Sequence, residues 1–359
     1  MTSLKQRLLE MIAQDGPLTV AQYMTICLHD PAAGYYSTRP AIGEDGDFIT
    51  APETSQMFGE LIGLWAAQTY LDLGSPPRVN LIEAGPGSGV LMADIWRASK
   101  ALPAFRDAIE IFLLEPSTPL RARQEQALAR VGARANWIDD LAQAPDGPSI
   151  IIGNEVLDCL PIRQFIRTES GWRERLVGRA DAELAFGLAP APSAPAEIPE
   201  ALRDNEIGAI AEIRMGLPAF LGKIAAKLNA APGRALLIDY GAPETTGGDT
   251  LQAMRAHRTA DPLAEPGEAD LTAHVDFAIV ADIARDAGLS IAGPVSQAAL
   301  LSALGIATRA KALQASRPEK AEIIERQLQR LIAPDQMGEL FQAICLQSAE
   351  LNRPQGFSP

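Results

Sequence analysis

Residues 81–91 read LIEAGPGSGVL. An apolar run ends in a carboxylate, Glu83, and three glycines follow at every second position, Gly85, Gly87 and Gly89. Glycine admits left-handed backbone and lets the chain approach a ligand with no Cβ in between. A helical pattern opens at Val90, and a helix start offers unpaired N–H groups. The stretch therefore reads as a strand, a tight turn and a helix, with a ligand at the turn.

Outward from this turn, short apolar strands alternate with helices from residue 78 on. RVNLIEAG, EIFLLEPS, ANWIDD, SIIIGNEVLD and RALLIDYG are five strands, separated by helical patterns such as LRARQEQALARVG and AFLGKIAAKLNAAPG. That alternation predicts an α/β fold, a doubly wound and mostly parallel sheet covered on both faces. Ligands of such sheets lie beyond the carboxyl ends of the strands. Residues 163–190 alternate apolar and polar, which predicts a β insertion after strand four, and a proline-rich loop follows at 191–199. ELFQAICLQS is a final strand, expected to run antiparallel at the sheet's edge. Residues 1–75 form an N-terminal helical segment with a turn-rich lid loop. Residues 76–359 form the ligand-binding core, with an insertion at 163–215 and a helical insertion at 298–333.

The glycine spacing separates two cofactors. A dinucleotide fingerprint, G-x-G-x-x-G, would need a glycine at position 90, which is Val90. What stands here is E-x-G-x-G-x-G, the pattern of class I methyltransferases, so the expected cofactor is S-adenosyl-L-methionine. That ligand carries no phosphate; its sulfonium and its amino acid end suit an acid such as Glu83. Glu115 ends the second strand, where it is expected to accept the ribose hydroxyls, and Asp139 ends the third, within reach of an adenine amino group. Asn154 is expected to hold the edge of cofactor or substrate. An acid at the second strand also suits NAD, so the glycines decide.

Hydrophobic residues make up 47% and charged residues 21%, an ordinary globular composition. With 31 basic against 45 acidic residues the net charge is −14, which argues against sequence-independent nucleic-acid binding. No stretch approaches the ~20 apolar residues of a membrane span, and MTSLKQRLLEMIAQDG lacks the features of a signal or transit peptide. Three distant cysteines, Cys27, Cys159 and Cys345, suggest reduced thiols and a cytoplasmic protein. Three scattered histidines make a catalytic zinc unexpected. Oligomeric state is left open.

Five segments together resemble the MidA-like methyltransferase family: GEDGDFITAPETSQMFGE (43–60), NLIEAGPGSG (80–89), GNEVLDCLP (153–161), LLIDYG (236–241) and PGEADLTAHVDF (266–277). The likeness runs from about Gln22 to Gln347, and residues 165–225 match only loosely. Eukaryotic members are mitochondrial arginine methyltransferases needed to assemble respiratory complex I. The resemblance implies methylation of arginine in a complex I subunit, giving a symmetric dimethylated product, here in a bacterial cytoplasm. An alternative is a non-catalytic assembly factor that binds the cofactor structurally; an NAD-dependent oxidoreductase suffers from Val90.

A guanidinium is a poor nucleophile because its charge is delocalised. Carboxylates that pair with it can orient the plane and receive a proton. Glu155, just past the fourth strand, is the candidate for that role and Asp158 a second acid. Alternatively Glu155 pairs with a structural arginine such as Arg163, and Asp158 caps the turn. Asp47, Phe48, Thr50 and Pro52 are read as a lid over the cofactor. His274 and Asp276 lie at the ligand end of the sheet, where they are candidates to meet substrate, although Asp276 could equally cap the helix that follows.

Overall fold

The computed structural model describes residues 3–38, 50–255 and 258–357. Among these the strands form three sheets. The largest comprises β1 (Val79–Ala84), β2 (Ile109–Leu114), β3 (Asn136–Ile138), β4 (Ser149–Asn154), β5 (Gly233–Ala242), β6 (Val275–Asp276), β7 (Ser290–Ser296) and β8 (Phe341–Gln347). Their order is β7-β8-β5-β4-β1-β2-β3, with the short β6 beside the end of β5. β1 to β5 are mutually parallel, and β8 runs antiparallel between β5 and β7. The doubly wound sheet, the antiparallel sense of its last strand and the β insertion after β4 are those the sequence predicts, but β8 is not the edge strand expected of it: β7, which the sequence reading does not include, pairs along its far side and takes the edge.

The chain winds outward from β1 in one direction through β2 and β3, and in the other through β4 and β5. β1 and β4 therefore flank the topological switch point where such sheets bind ligands. Register sharpens this: Ala84 lies opposite both Leu114 and Gly153. Gly85, Glu115 and Asn154 thus emerge side by side.

Every residue of β1 and β4 is buried, which is why both read as mainly apolar without a polar face. Alternate side chains enter two cores. Leu81, Ile111, Ile150 and Leu236 pack beneath helices that include Gln56–Asp72, Val90–Ala98 and Ala321–Ile332. Ile82, Phe112, Ile151 and Leu237 pack beneath Leu217–Ala230 and Phe277–Asp286.

α1 (Leu4–Asp15) and α2 (Val20–His29) take another partner. Leu18–Thr19 between them pairs antiparallel with the inserted strand Gly171–Ala180. Leu8, Tyr23 and Met24 share a third apolar cluster with Ile162, Val177 and Leu271. The insertion itself is an antiparallel sheet of Ile162–Thr168, Gly171–Ala180, Glu183–Leu188 and Ile210–Arg214. The sequence shows no signal for the small sheet of Gln252–Arg255, Arg258–Ala260 and Asp270–Thr272. β3 is shorter than ANWIDD predicts, because Asp140 turns back to accept the Ala142 N–H at 2.9 Å. Among the described residues no helix is long and apolar enough to cross a membrane.

Candidate active site

Gly85, Gly87 and Gly89 have φ of +66°, +51° and +82°, a region costly for residues bearing a Cβ. Space is as restrictive as conformation. A Cβ on Gly89 would lie 2.9 Å from the Gln124 Cα, and one on Gly85 2.9 Å from a Val156 methyl. The turn is wedged between the helix carrying Gln124 and the loop after β4.

A crevice opens at this turn. Thr50, Pro52, Glu53, Glu83, Asn154 and Glu155 line it with the glycine loop. Thr50 occupies the N-cap position of α3 (Ala51–Thr54). The Ser88 hydroxyl donates to the Glu53 carboxylate, and the Ala51 N–H donates to Glu155 Oε1 at 3.1 Å. α3 is therefore fastened both to the glycine loop and to the turn after β4. Glu53 is missing from the sequence-based candidates, although it sits in the same TAPETS run as Thr50 and Pro52. Asp47 and Phe48 lie outside the described residues.

Glu83 is 2% exposed, and its Oε2 has no hydrogen-bond partner among the described residues. Burial pushes its carboxyl up to about 8. A buried acceptor left unmade is costly, and a bound ligand is one way to complete it. Glu115 accepts the Ser117 N–H at 2.8 Å and the Gln124 amide at 3.1 Å. Gln124 also donates to the Gly87 carbonyl and accepts from the Trp137 indole, so one fully buried amide ties Glu115 to the glycine turn. Burial raises the Glu115 carboxyl against these donors. Asp139 is exposed just past β3 and pairs with Arg121 at 2.5 Å.

Among the described residues the side chains lining the crevice include three carboxyls, Glu53, Glu83 and Glu155, and no basic group. A pyrophosphate finds no cationic partner among them, whereas a sulfonium and an ammonium would favour their ionised forms. The unpartnered Glu83 oxygen and the cradle that a Cβ would fill fit S-adenosyl-L-methionine.

Beyond β4 the chain reverses sharply. Glu155 adopts φ +53°, rare for a residue with a side chain. The reversal is held from β5: Asp239 Oδ2 accepts the N–H groups of Val156, Leu157 and Asp158 at 3.1, 2.8 and 3.2 Å. Glu155 Oε1 accepts from the Asn154 amide at 2.9 Å as well as from Ala51. Burial, with Asp158 adding its charge, pushes the Glu155 carboxyl up to about 8. Arg163 is engaged elsewhere, with Glu174 and Glu197, so it is not the partner of Glu155.

Asp158 is buried; its Oδ1 accepts the Cys159 N–H at 2.8 Å. Burial raises its carboxyl, opposed chiefly by Arg214 and by the Tyr240 hydroxyl. Asp270, also buried, accepts the Tyr36 hydroxyl at 2.8 Å. Arg214 is a buried cation of this cluster, and it donates to the carbonyls of Leu160, Ala273 and His274. His274 is exposed, its ring edge-on to Tyr240 at 5.3 Å. Asp276 caps the following helix, accepting the Ile279 N–H at 2.9 Å. Asp239, Asp270, Tyr36 and Tyr240 escape sequence reasoning as individual residues. Asp239, Tyr240 and Asp270 sit in family-like segments, but nothing in their spacing marks them as neighbours.

A sheet of this order, with a glycine turn and an acid-lined crevice at its switch point, defines a class I S-adenosyl-L-methionine-dependent methyltransferase. The model of the family described as S-adenosyl-L-methionine-dependent methyltransferase, Methyltransf_28, matches residues 61–295, and the chain belongs to that family. A mouse relative named protein arginine methyltransferase NDUFAF7, mitochondrial, is 35% identical over 96% of this chain and 84% of its own length. The human protein of the same name is 33% identical over 96% of this chain and 83% of its own. A crystal structure from Burkholderia thailandensis, bound to S-adenosyl-homocysteine, superposes with a TM-score of 0.85 at 30% identity. That match covers 99% of this chain and 92% of the other.

Proposed function

We propose that the chain methylates arginine side chains of a protein. The observation that carries this reading is the charge balance beside the crevice. Among the described residues the half-buried Glu155 and the buried Asp158 and Asp239 lie close together beside one buried guanidinium, Arg214. Buried carboxyls need pairing, and an arriving guanidinium supplies a planar set of donors matched to carboxylates. The names of the mouse and human relatives support the same substrate class.

In this reading Glu83, Glu115, Asp139 and the three glycines hold the cofactor, and Thr50 and Pro52 close over it. The cofactor supplies a methyl group on a sulfonium: the N–C bond forms from the nitrogen's electron pair, and the C–S bond leaves its pair on a neutral thioether. Glu155 takes the proton that the nitrogen loses. Asp158 holds the guanidinium's other edge, and His274 and Asp276 lie at the rim that a protein substrate would cross.

The substrate assigned here is a subunit of respiratory complex I, the product symmetric dimethylarginine and the compartment a bacterial cytoplasm. The family resemblance supports the subunit and the product, and the free, scattered cysteines support a reducing compartment. The test is incubation with labelled S-adenosyl-L-methionine and separated complex I subunits, together with mass spectrometry of complex I from cells lacking the chain. Label on arginine, and the loss of one dimethylarginine in those cells, are expected. Label confined to another residue type would overturn the arginine assignment; unchanged methylation of complex I would overturn the subunit.

A further inference from the structure

We infer that Asn154 accepts a hydrogen bond from the substrate nitrogen that becomes methylated, and so orients that nitrogen instead of holding the cofactor. The inference rests on the guanidinium reading above. It starts from a geometric oddity. Successive side chains of a strand point to opposite faces, yet Asn154 and Glu155 meet at 2.9 Å. The left-handed conformation at Glu155 brings them together, at a cost of the kind that proteins keep at functional sites.

The contact fixes which way the amide faces. Asn154 Nδ2 donates to Glu155 Oε1, which also accepts the Ala51 N–H, so Asn154 Oδ1 faces away from Glu155. Asn154 is 8% exposed and lines the crevice, and among the described residues its Oδ1 has no hydrogen-bond partner. A buried acceptor so placed calls for an N–H from a ligand.

The sheet order indicates which ligand. Glu115 and Asp139 follow β2 and β3 on one side of the glycine turn, whereas Asn154 ends β4 on the other. On that side stand Glu155 and Asp158, the groups assigned to the guanidinium. Among the described residues Glu155 Oε2 carries no hydrogen bond, and once an arriving guanidinium ionises the carboxyl, Oε2 becomes a second acceptor on the residue next to Oδ1. One guanidinium NH₂ has two N–H bonds to offer. Holding both fixes the plane of the group and directs the nitrogen's electron pair out of that plane.

The test measures binding to the protein saturated with S-adenosyl-homocysteine, by calorimetry or NMR titration. The probes are N-acetyl-arginine amide and its neutral analogue N-acetyl-citrulline amide. Wild type is expected to bind the arginine probe at least tenfold more tightly than the citrulline probe. Asn154→Ala should weaken the arginine probe about tenfold and leave S-adenosyl-homocysteine affinity within twofold. Asn154→Asp, which keeps an acceptor oxygen at the same place, should bind the arginine probe within threefold of wild type.

Unchanged arginine-probe affinity in Asn154→Ala would overturn the inference while leaving the guanidinium reading intact. A tenfold loss of S-adenosyl-homocysteine affinity would also overturn it, by making Asn154 a cofactor ligand. Should Asn154→Ala not fold, a tenfold loss of arginine-probe binding in Asn154→Asp has the same force. A wild type that does not distinguish the two probes would remove the guanidinium reading, and the inference with it.

Discussion

Glu83 and Glu155 are both carboxyls pushed up to about 8 by burial, yet they are held in different ways. Glu83 sits inside β1, two residues before the first glycine, at the end of an apolar run that the sequence marks, between β2 and β4. Glu155 stands where it does because Asp239, 84 positions along the chain, gathers the amide groups of the turn, and because Ala51, 104 positions before it, reaches one of its oxygens. The cofactor end centres on one strand–turn–helix pattern; the substrate end is assembled from several distant segments that meet only in the folded chain. A recognition loop for a common cofactor can thus be carried as a unit, while the groups facing a particular substrate depend on long-range packing.

The sharpest break in that comparison comes from Glu155→Gln. The amide preserves shape and the contact with Ala51 but cannot take a proton. Turnover should fall about a thousandfold, within the range for general-base loss, while affinity for S-adenosyl-L-methionine stays near normal. Wild-type turnover in this variant would separate Glu155 from the chemistry.

Gly89→Ala should act at the other end. The left-handed conformation costs roughly 1–2 kcal/mol with a Cβ present, and that Cβ would press on the backbone of Gln124. We expect calorimetry to show cofactor affinity falling about tenfold or more, with a lower melting temperature. Asp239→Asn tests whether the substrate end depends on its distant anchor. Weakening three backbone hydrogen bonds should cost about 1–3 kcal/mol, read as a shift of the urea midpoint, and should slow turnover without loosening the cofactor.

Subtler still is the pH response of Glu83. Its folded value near 8 lies above the ordinary 4.5, so its contribution to stability is complete below about 4.5 and is lost as pH rises through about 8. The melting temperature of the free protein should decline across that window, and less so in Glu83→Gln. Cofactor cation favours the ionised form, so binding at pH 7 should release a proton, visible as buffer-dependent heat in wild type and reduced in the variant. The smallest effect belongs to Glu53→Gln, which weakens the clasp between α3 and Ser88. A fewfold loss of cofactor affinity is expected, together with faster proteolysis near residue 50; affinity equal to wild type would mean that the clasp is idle.

These tests also mark how far residues alone could be read. The run LIEAGPGSGVL, the apolar strands and the acids at strand ends were legible because each depends on neighbours within a few positions: burial on both faces, a turn needing positive φ, a carboxyl at a fixed distance from the loop. β3 was read too long because Asp140, inside the apparent strand, prefers to cap the next turn. Asp276 illustrates a site candidate whose carboxylate the fold engages in capping a helix. Glu53 was passed over because its partner, Ser88, lies 35 positions away.

By itself the sequence determined the doubly wound sheet and the cofactor loop, since hydrophobic period, glycine spacing and a nearby acid are properties of short segments. Only the tertiary structure decided which carboxyls meet. Tyr36, Asp158, Asp239, Tyr240 and Asp270 become neighbours through parallel strand order and through docking of the N-terminal helices on the insertion. Charge repulsion among such acids has to be overcome by packing energy from the whole core, which no local pattern records.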